Sequence, residues 1–282
     1  SSGSEEARLD KVLELSEFAL LSKPDFLVWP ESSAPITQEK WPKLKQMLLS
    51  ENVPLILGVD DVEKDLDSEK INYYNSAAFV PVDGKLPIVY RKRRLVMFGE
   101  YIPLESLFPF MKYLSPIGGS FSEGKMSVQF PLKDQKLTMA PIICFEDSFP
   151  HGVREHVLPE TSLIVNLTND GWFGKGPAQW QHAANAVFRT IENGIPMVRS
   201  CNNGLSCWID SFGQVRRFFG EESGDIYGAG FAVFEIPILK SRNSTFYNKY
   251  GDIFGWFCLG ISFVSVLAVF AKRRLHTGKE IS

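Results

Sequence analysis

The sequence predicts an α/β fold followed by one C-terminal transmembrane helix, and three observations carry that prediction. Short, β-prone apolar runs at 25–29, 54–59, 137–143 and 162–168 alternate with amphipathic helical patterns at 5–21, 41–50 and 178–193. Several of these runs stop at a polar or charged residue with Pro, Gly or aromatic residues close behind, as in Val28-Trp29-Pro30-Glu31 and Ile143-Cys144-Phe145-Glu146-Asp147. Residues 253–271 carry no charge over the length needed to cross about 30 Å of hydrocarbon.

Composition sets the outer bounds. A chain of 282 residues, 44% hydrophobic and 22% charged, is long enough to bury a full core. Its net charge of -3 gives no reason to expect nucleic acid as a partner. Aromatics at 13%, including 22 Phe, fit contact with apolar ligands or lipid as well as a Phe-rich core. The four cysteines, Cys144, Cys201, Cys207 and Cys258, show no metal spacing, so neither a metal nor a cofactor is expected. If Asn203-Gly204 is a two-residue hairpin loop, Ser206 faces Cys201 and Ser200 faces Cys207. The two sulfurs then point to opposite faces, which disfavours a disulfide. Cys144 is left as a candidate free thiol.

In chain order, residues 1–4 read as a linker or cloning remnant, and 5–21 as an amphipathic helix. Residues 25–29 form a short buried strand stopped by Pro30, which leaves Glu31 just past its end. Helix 41–50 leads to the strand 54–59, and the charged stretch 60–70 reads as a solvated loop. Residues 73–82 and 84–90 read as an antiparallel pair turning at Asp83-Gly84. The basic run Arg91-Lys92-Arg93-Arg94 then enters an aromatic loop holding Phe98 and Glu100. Residues 103–124 form a long loop whose Leu107, Phe108, Phe110 and Leu114 are too apolar for a solvated one; it reads as a lipid-facing or ligand-facing lid.

The central strand 137–143 delivers Cys144 to its tip. A side chain at that lip is held from below and open to substrate from above. A short helix at 151–156 and the strand 162–168 follow, ending in Asn169-Asp170-Gly171-Trp172-Phe173-Gly174. Helix 178–193 closes on Gly194 as its C-cap. Strands at 197–201, 205–209, 215–219 and 230–236 complete the domain, which is expected to span 5–245. Lys272-Arg273-Arg274 follow the apolar span. By the positive-inside rule the tail 272–282 is then cytoplasmic and everything before residue 253 lies outside.

Glu31, Lys92 and Cys144 form a coherent chemical set. A thiol of pKa near 8.5 is mostly protonated at neutral pH and needs a base and a nearby cation. A glutamate takes the proton. A lysine favours the thiolate and stabilises the oxyanion formed when sulfur attacks a carbonyl.

Trp29-Pro30-Glu31, Lys92 with Leu95-Val96-Met97-Phe98-Gly99-Glu100-Tyr101, Pro141-Ile142-Ile143-Cys144-Phe145-Glu146 and Asn169-Asp170-Gly171-Trp172-Phe173-Gly174 resemble the nitrilase superfamily. Within it they look like the apolipoprotein N-acyltransferases of bacterial envelopes. The likeness extends to Gln181-His182, Arg199-Ser200-Cys201-Asn202-Asn203-Gly204 and the terminal span. It implies an αββα sandwich with Glu31 as general base, Lys92 as oxyanion-stabilising lysine and Cys144 as nucleophile. Glu100, Phe145 and Glu146 would support them, and Phe98, Phe108, Phe110, Asn169 and Trp172 would contact substrate.

The implied reaction passes an acyl chain from a membrane phospholipid, through a cysteine thioester, to the amine of a diacylglyceryl apolipoprotein. The implied place is the bacterial inner membrane, with the catalytic domain on the periplasmic side. Arg94, Met97 and Phe145 stand where the family usually has His, Pro and Tyr. The family begins with a bundle of membrane helices and a first strand of the sandwich, neither of which is read in this sequence, so the expectation is either a fragment of a longer chain or a first strand supplied otherwise. Two other readings use the same residues: a membrane-tethered amidase in which water resolves the thioester, and a non-catalytic membrane-anchored binding module.

Overall fold

The computed structural model describes residues 2–32, 41–64, 69, 71–104, 107–108, 110, 119–132, 136–239 and 244–277. Two sheets are packed face to face. The first has the order β1-β2-β3-β4, with β1 Leu27–Val28, β2 Leu55–Lys64, β3 Ile71–Val80 and β4 Ile88–Arg91. The second has the order β10-β9-β8-β7-β6-β5, with β5 Phe130–Leu132, β6 Leu137–Ile143, β7 Leu163–Asn169, β8 Met197–Asn202, β9 Cys207–Ile209 and β10 Val215–Phe218. Strands β6, β7 and β8 run parallel, so their C-terminal tips share one edge.

The apolar residues divide into layers that explain this arrangement. Leu9, Leu13 and Leu20 of α1 (Ser2–Leu20) and Leu44 and Leu48 of α2 (Trp41–Glu51) bury against Leu55, Leu57 and Ala78 on the outer face of the first sheet. Ile56, Phe79 and Tyr90 meet Phe130, Met139, Ile143, Val165 and Leu167 between the sheets. Val153 of α3 (Pro150–His156) and Ala183 and Ala186 of α4 (Ala178–Asn193) cover Ile142, Ile164 and Met197 on the outer face of the second. Strands buried on both faces read as continuous apolar runs, because alternate side chains enter different cores. The result is the expected α-β-β-α sandwich.

Several local expectations are corrected. The charged stretch after residue 59 is not all loop. Strand β2 runs on to Lys64 and pairs with β3 from Leu55↔Val80 to Lys64↔Ile71, where Arg91 bridges Asp61 and Glu63. Ion pairs replace burial there, which an apolar pattern cannot reveal. Asp83-Gly84 does not join the following strands tightly, since the register sets Phe79 opposite Ile88 and leaves a longer connection. Strand β5 was hidden in a run of ordinary character, and 230–236 makes no ladder, although Phe234 and Ile236 still pack on the inter-sheet core. The β8–β9 register places Arg199, not Ser200, opposite Cys207. Ser206 Oγ takes the Cys201 N–H at 2.9 Å and shifts the pairing by one. Both cysteines are free thiols. Helix α1 reaches back to Ser2, into the stretch set aside as a linker. Residues 111–118 of the expected lid, including Leu114, and the end of the tail at 278–282 lie outside the described residues.

A short helix α5 (Phe246–Tyr250) leads into α6 (Ile253–Thr277). Arg154 of α3 donates to the carbonyls of Tyr247, Asn248 and Lys249, and His151 pairs with Asp252 at 2.8 Å, so α3 is the mount for this end of the chain. Residues Ile253–Phe270 have a mean hydropathy of 2.3 and none is buried. This helix is long and apolar enough to cross a membrane.

Candidate active site

The sheet edge gathers the charged residues that the sequence put at strand tips. Glu31 follows β1 and Lys92 follows β4; both are buried. Lys92 Nζ lies 3.3 Å from Glu31 Oε1 and 2.7 Å from Glu100 Oε1. Asn75 of β3 donates through Nδ2 to Glu31 Oε1 and Glu100 Oε1, at 2.7 Å each. Its carbonyl also accepts the Lys92 N–H at 2.8 Å. A buried ammonium survives only with such partners. Burial opposes its charge, yet Glu31, the Cys144 sulfur and Glu100 hold Lys92 above the usual lysine range.

Cys144 begins a 3-10 turn, Cys144–Ser148, directly after β6 and takes the left-handed backbone conformation at φ 50°. A non-glycine residue is rarely found there, and such strain persists only when its surroundings enforce it. The enforcement comes from Glu146. Its buried carboxylate accepts the N–H groups of Ile143 (2.8 Å) and Arg93 (2.7 Å) and the Tyr90 hydroxyl (2.8 Å). Burial raises the Glu146 carboxyl despite those donors. The thiol of Cys144 is also raised. Burial contributes most and the charge of Glu31 next, against the pull of Lys92, the Asn169 N–H and Arg199. The resting sulfur is therefore a thiol, with the Lys92 ammonium held between Glu31 and Glu100.

The other candidates divide. Glu146 is structural to the turn, while Phe145 stays 39% exposed at its rim and meets Phe149 edge to face. Phe98 is half-buried at φ 60° in the loop that carries Glu100. The Asn169 side chain accepts the N–H of Gly171 in its own loop, while its backbone N–H is among the groups that lower the Cys144 thiol. Trp172, Phe108 and Phe110 are exposed on the surface, outside the polar cluster.

Sequence reading missed Asn75, Tyr90, Asp147 and Asp170. An Asn in the middle of the β-prone run Tyr73-Tyr74-Asn75-Ser76-Ala77 was the one available signal, because polar groups inside a strand need a dedicated partner.

Comparison with known proteins agrees with this architecture. The family model for carbon-nitrogen hydrolases matches residues 1–230. An apolipoprotein N-acyltransferase of Geobacter metallireducens is 34% identical over 93% of this chain and 49% of its own length. One from Treponema denticola is 29% identical over 94% of this chain and 54% of its own. The chain thus spans about half the length of the curated relatives it matches. Among solved structures, the amidase of Nesterenkonia sp. AN1 superposes with a TM-score of 0.55 at 15% identity, covering 76% of this chain and 83% of that one. A nitrilase-superfamily protein of Saccharomyces cerevisiae gives 0.53 at 21%, covering 77% and 81%. The two sheets, the layered cores and the family match agree: this chain belongs to the carbon-nitrogen hydrolase family.

Proposed function

We propose that this chain carries the acyl-transfer site of an apolipoprotein N-acyltransferase, with Cys144 as nucleophile, Glu31 as general base and Lys92 as oxyanion stabiliser. The observation that carries the reading is the buried Lys92 ammonium fixed between Glu31 and Glu100 beside a strained, turn-borne Cys144. A buried ion triplet of this kind costs desolvation and is poor value for stability alone. Relatives bearing the N-acyltransferase name match across most of the chain, and α6 suits a membrane-bound lipid donor.

The steps follow from the groups present. Glu31 takes the Cys144 proton as sulfur bonds to the ester carbonyl of a phospholipid, and Lys92 faces the developing oxyanion. The tetrahedral centre collapses to a thioester. The departing lysophospholipid oxygen receives the proton from Glu31. The amine of a diacylglyceryl-cysteine apolipoprotein then attacks the thioester, gives a proton to Glu31, and leaves as an amide while the thiol is restored. Exposed Phe108, Phe110 and Trp172, with Phe98 and Phe145, supply apolar surface for the acyl chain. Lys272-Arg273-Arg274 orient α6 with its C-terminus in the cytoplasm and the sandwich on the periplasmic side.

Mass spectrometry of the protein purified from membranes tests the reading. An acyl adduct on Cys144, released by an apolipoprotein amine and missing from Cys144→Ala, is the expected result. An adduct that persists in Cys144→Ala would overturn it.

A further inference from the structure

Behind Cys144, on the α4 side of the second sheet, lies a buried ionic ring that the acyl-transfer steps do not use. Arg199 of β8 is fully buried and donates through Nη1 to Asp147 Oδ2 at 2.9 Å and through Nη2 to Asp170 Oδ2 at 3.2 Å. His182 of α4 closes the ring, with Nδ1 2.7 Å from Asp170 Oδ1 and Nε2 3.2 Å from Asp147 Oδ1. Asn166 of β7 donates to Asp147 Oδ2 at 3.1 Å, and Cys201 Sγ reaches Asp170 Oδ2 at 3.2 Å. Two carboxylates against a guanidinium and an imidazolium leave the ring neutral. Burial opposes the charge on His182, but the nearby carboxylates of Asp147 and Asp170 prevail and lift its pKa to about 9.

What singles out this ring is where its two carboxylates are attached. Asp147 belongs to the same 3-10 turn that begins at Cys144. Asp170 directly follows Asn169, which the β6–β7 register (Ile143↔Leu167) brings alongside Cys144 and whose backbone N–H pulls the thiol down against its burial. One guanidinium thus grips both backbone segments that flank the thiol. Resting on the reading of Cys144 as nucleophile, we propose that Arg199 is a positioning residue, which through Asp147 and Asp170 sets the distance between the Cys144 sulfur and the Asn169 N–H. A bidentate fork can do this and a lysine cannot, since the two carboxylates must be held at a fixed separation. The Asn169 N–H then serves, with Lys92, as a donor to the sulfur and to the oxyanion next to it.

The electrostatic surroundings are defined on every side. Glu31 and Lys92 face the sulfur from the first sheet, and Arg199 lies behind it. Asp147, Asp170 and Arg199 surround His182, with the Phe173 ring edge-on at 6.1 Å.

The test is the rate of Cys144 alkylation by iodoacetamide from pH 6 to 10 in the full chain. Peptide mapping separates Cys144 from Cys201, Cys207 and Cys258, and thermal melts accompany each variant. Arg199→Lys is expected to slow Cys144 alkylation about tenfold and to move its pH midpoint upward. Asp170→Asn separates positioning from simple field effects. Removal of a negative charge alone makes the thiolate easier to form, whereas a loosened Asn169 N–H makes it harder, so a slower Cys144 with an upward midpoint is expected. An unchanged or faster Cys144 in folded Asp170→Asn overturns the proposal, and it decides the matter if Arg199→Lys fails to fold. A wild-type Cys144 that reacts no differently in Glu31→Gln and Lys92→Met would instead refute the nucleophile reading, a result independent of Arg199.

Discussion

Lys92 sits closer to Glu100 than to Glu31, at 2.7 Å against 3.3 Å. Glu100 also accepts the Val96 N–H at 2.8 Å, so its carboxylate is fixed by its own loop as well as by the ammonium. The closer, better-held glutamate is the standing counter-ion of Lys92. On the proposed reading, Glu31 is then free to act as the base while Glu100 keeps Lys92 compensated.

This division of labour has a kinetic signature. Glu31→Gln is expected to slow thioester formation by roughly two to four powers of ten. Lys92→Met should lose a similar factor, about 3 kcal/mol for a missing oxyanion donor. Glu100→Gln should lose less than Glu31→Gln. Single-turnover acylation of the full chain, with melts to exclude unfolding, ranks the three; a Glu31→Gln protein at the wild-type rate refutes the assignment.

Asn75 is expected to matter although it takes no part in bond making. Its amide is the shared donor that lets Glu31 and Glu100 lie near one another. Asn75→Ala removes both bonds and should slow acylation by about tenfold, given that a hydrogen bond to a charged group is worth roughly 1.5–3 kcal/mol. Asn75→Asp should be worse, because it sets a third carboxylate against the pair. Equal rates for the two variants would show that charge at this position is immaterial.

Gly58 of β2 gives a steric prediction. A Cβ there would lie 2.9 Å from Glu31 Cα, 2.9 Å from Ser32 N and 3.1 Å from Pro30 O, all of them backbone atoms. Gly58→Ala must therefore push the Glu31 segment away. Overpacking of this kind costs about 1–3 kcal/mol, and displacement near 1 Å at a reacting group can cost about a hundredfold in rate. A soluble, folded Gly58→Ala with acylation at the wild-type level would place the base elsewhere.

The histidines give stability opposite slopes on the two sides of neutrality. His182 is raised to about 9 in the folded state, so its contribution is complete below its ordinary value near 6.5 and disappears as pH climbs through 9. The linked free energy is about 3 kcal/mol at most. Burial, with Arg93 nearby, depresses His156 to about 4, so it favours folding above 6.5 and that advantage fades as pH falls toward 4. Urea midpoints measured from pH 4 to 10 should peak near neutrality. His182→Gln should flatten the alkaline limb alone, and an unchanged alkaline slope in that variant would contradict the ring.

How much of this was readable in the sequence depends on the range of the interaction. Strands that bury both faces announce themselves locally, so Glu31, Lys92 and Cys144 could be placed at their tips from period and punctuation. The extension of β2 could not, because Asp61 and Glu63 are stabilised by Arg91 from another strand. The β8–β9 register was missed for a similar reason: one hydroxyl, Ser206 Oγ, substitutes for a ladder bond. The ring around Arg199 joins residues as far apart as Asp147 and Arg199, and no window along the chain contains that relationship. Glu146 could be named as a supporting residue from the motif, but not what it supports. Its place under the turn emerges only when Tyr90 and Arg93 arrive from the other sheet.

The mount formed by α3 carries one more consequence. The stretch from Cys144 to His156 holds the Cys144 thiol at one end and, through Arg154 and His151, the approach to α6 at the other. The sulfur and the apolar helix are therefore tied to one continuous segment of the chain. When α6 lies in a bilayer, the altitude of Cys144 above the headgroups is set by the length of that short bracket. On the proposed reading, an acyl ester would then have to reach the sulfur at that height.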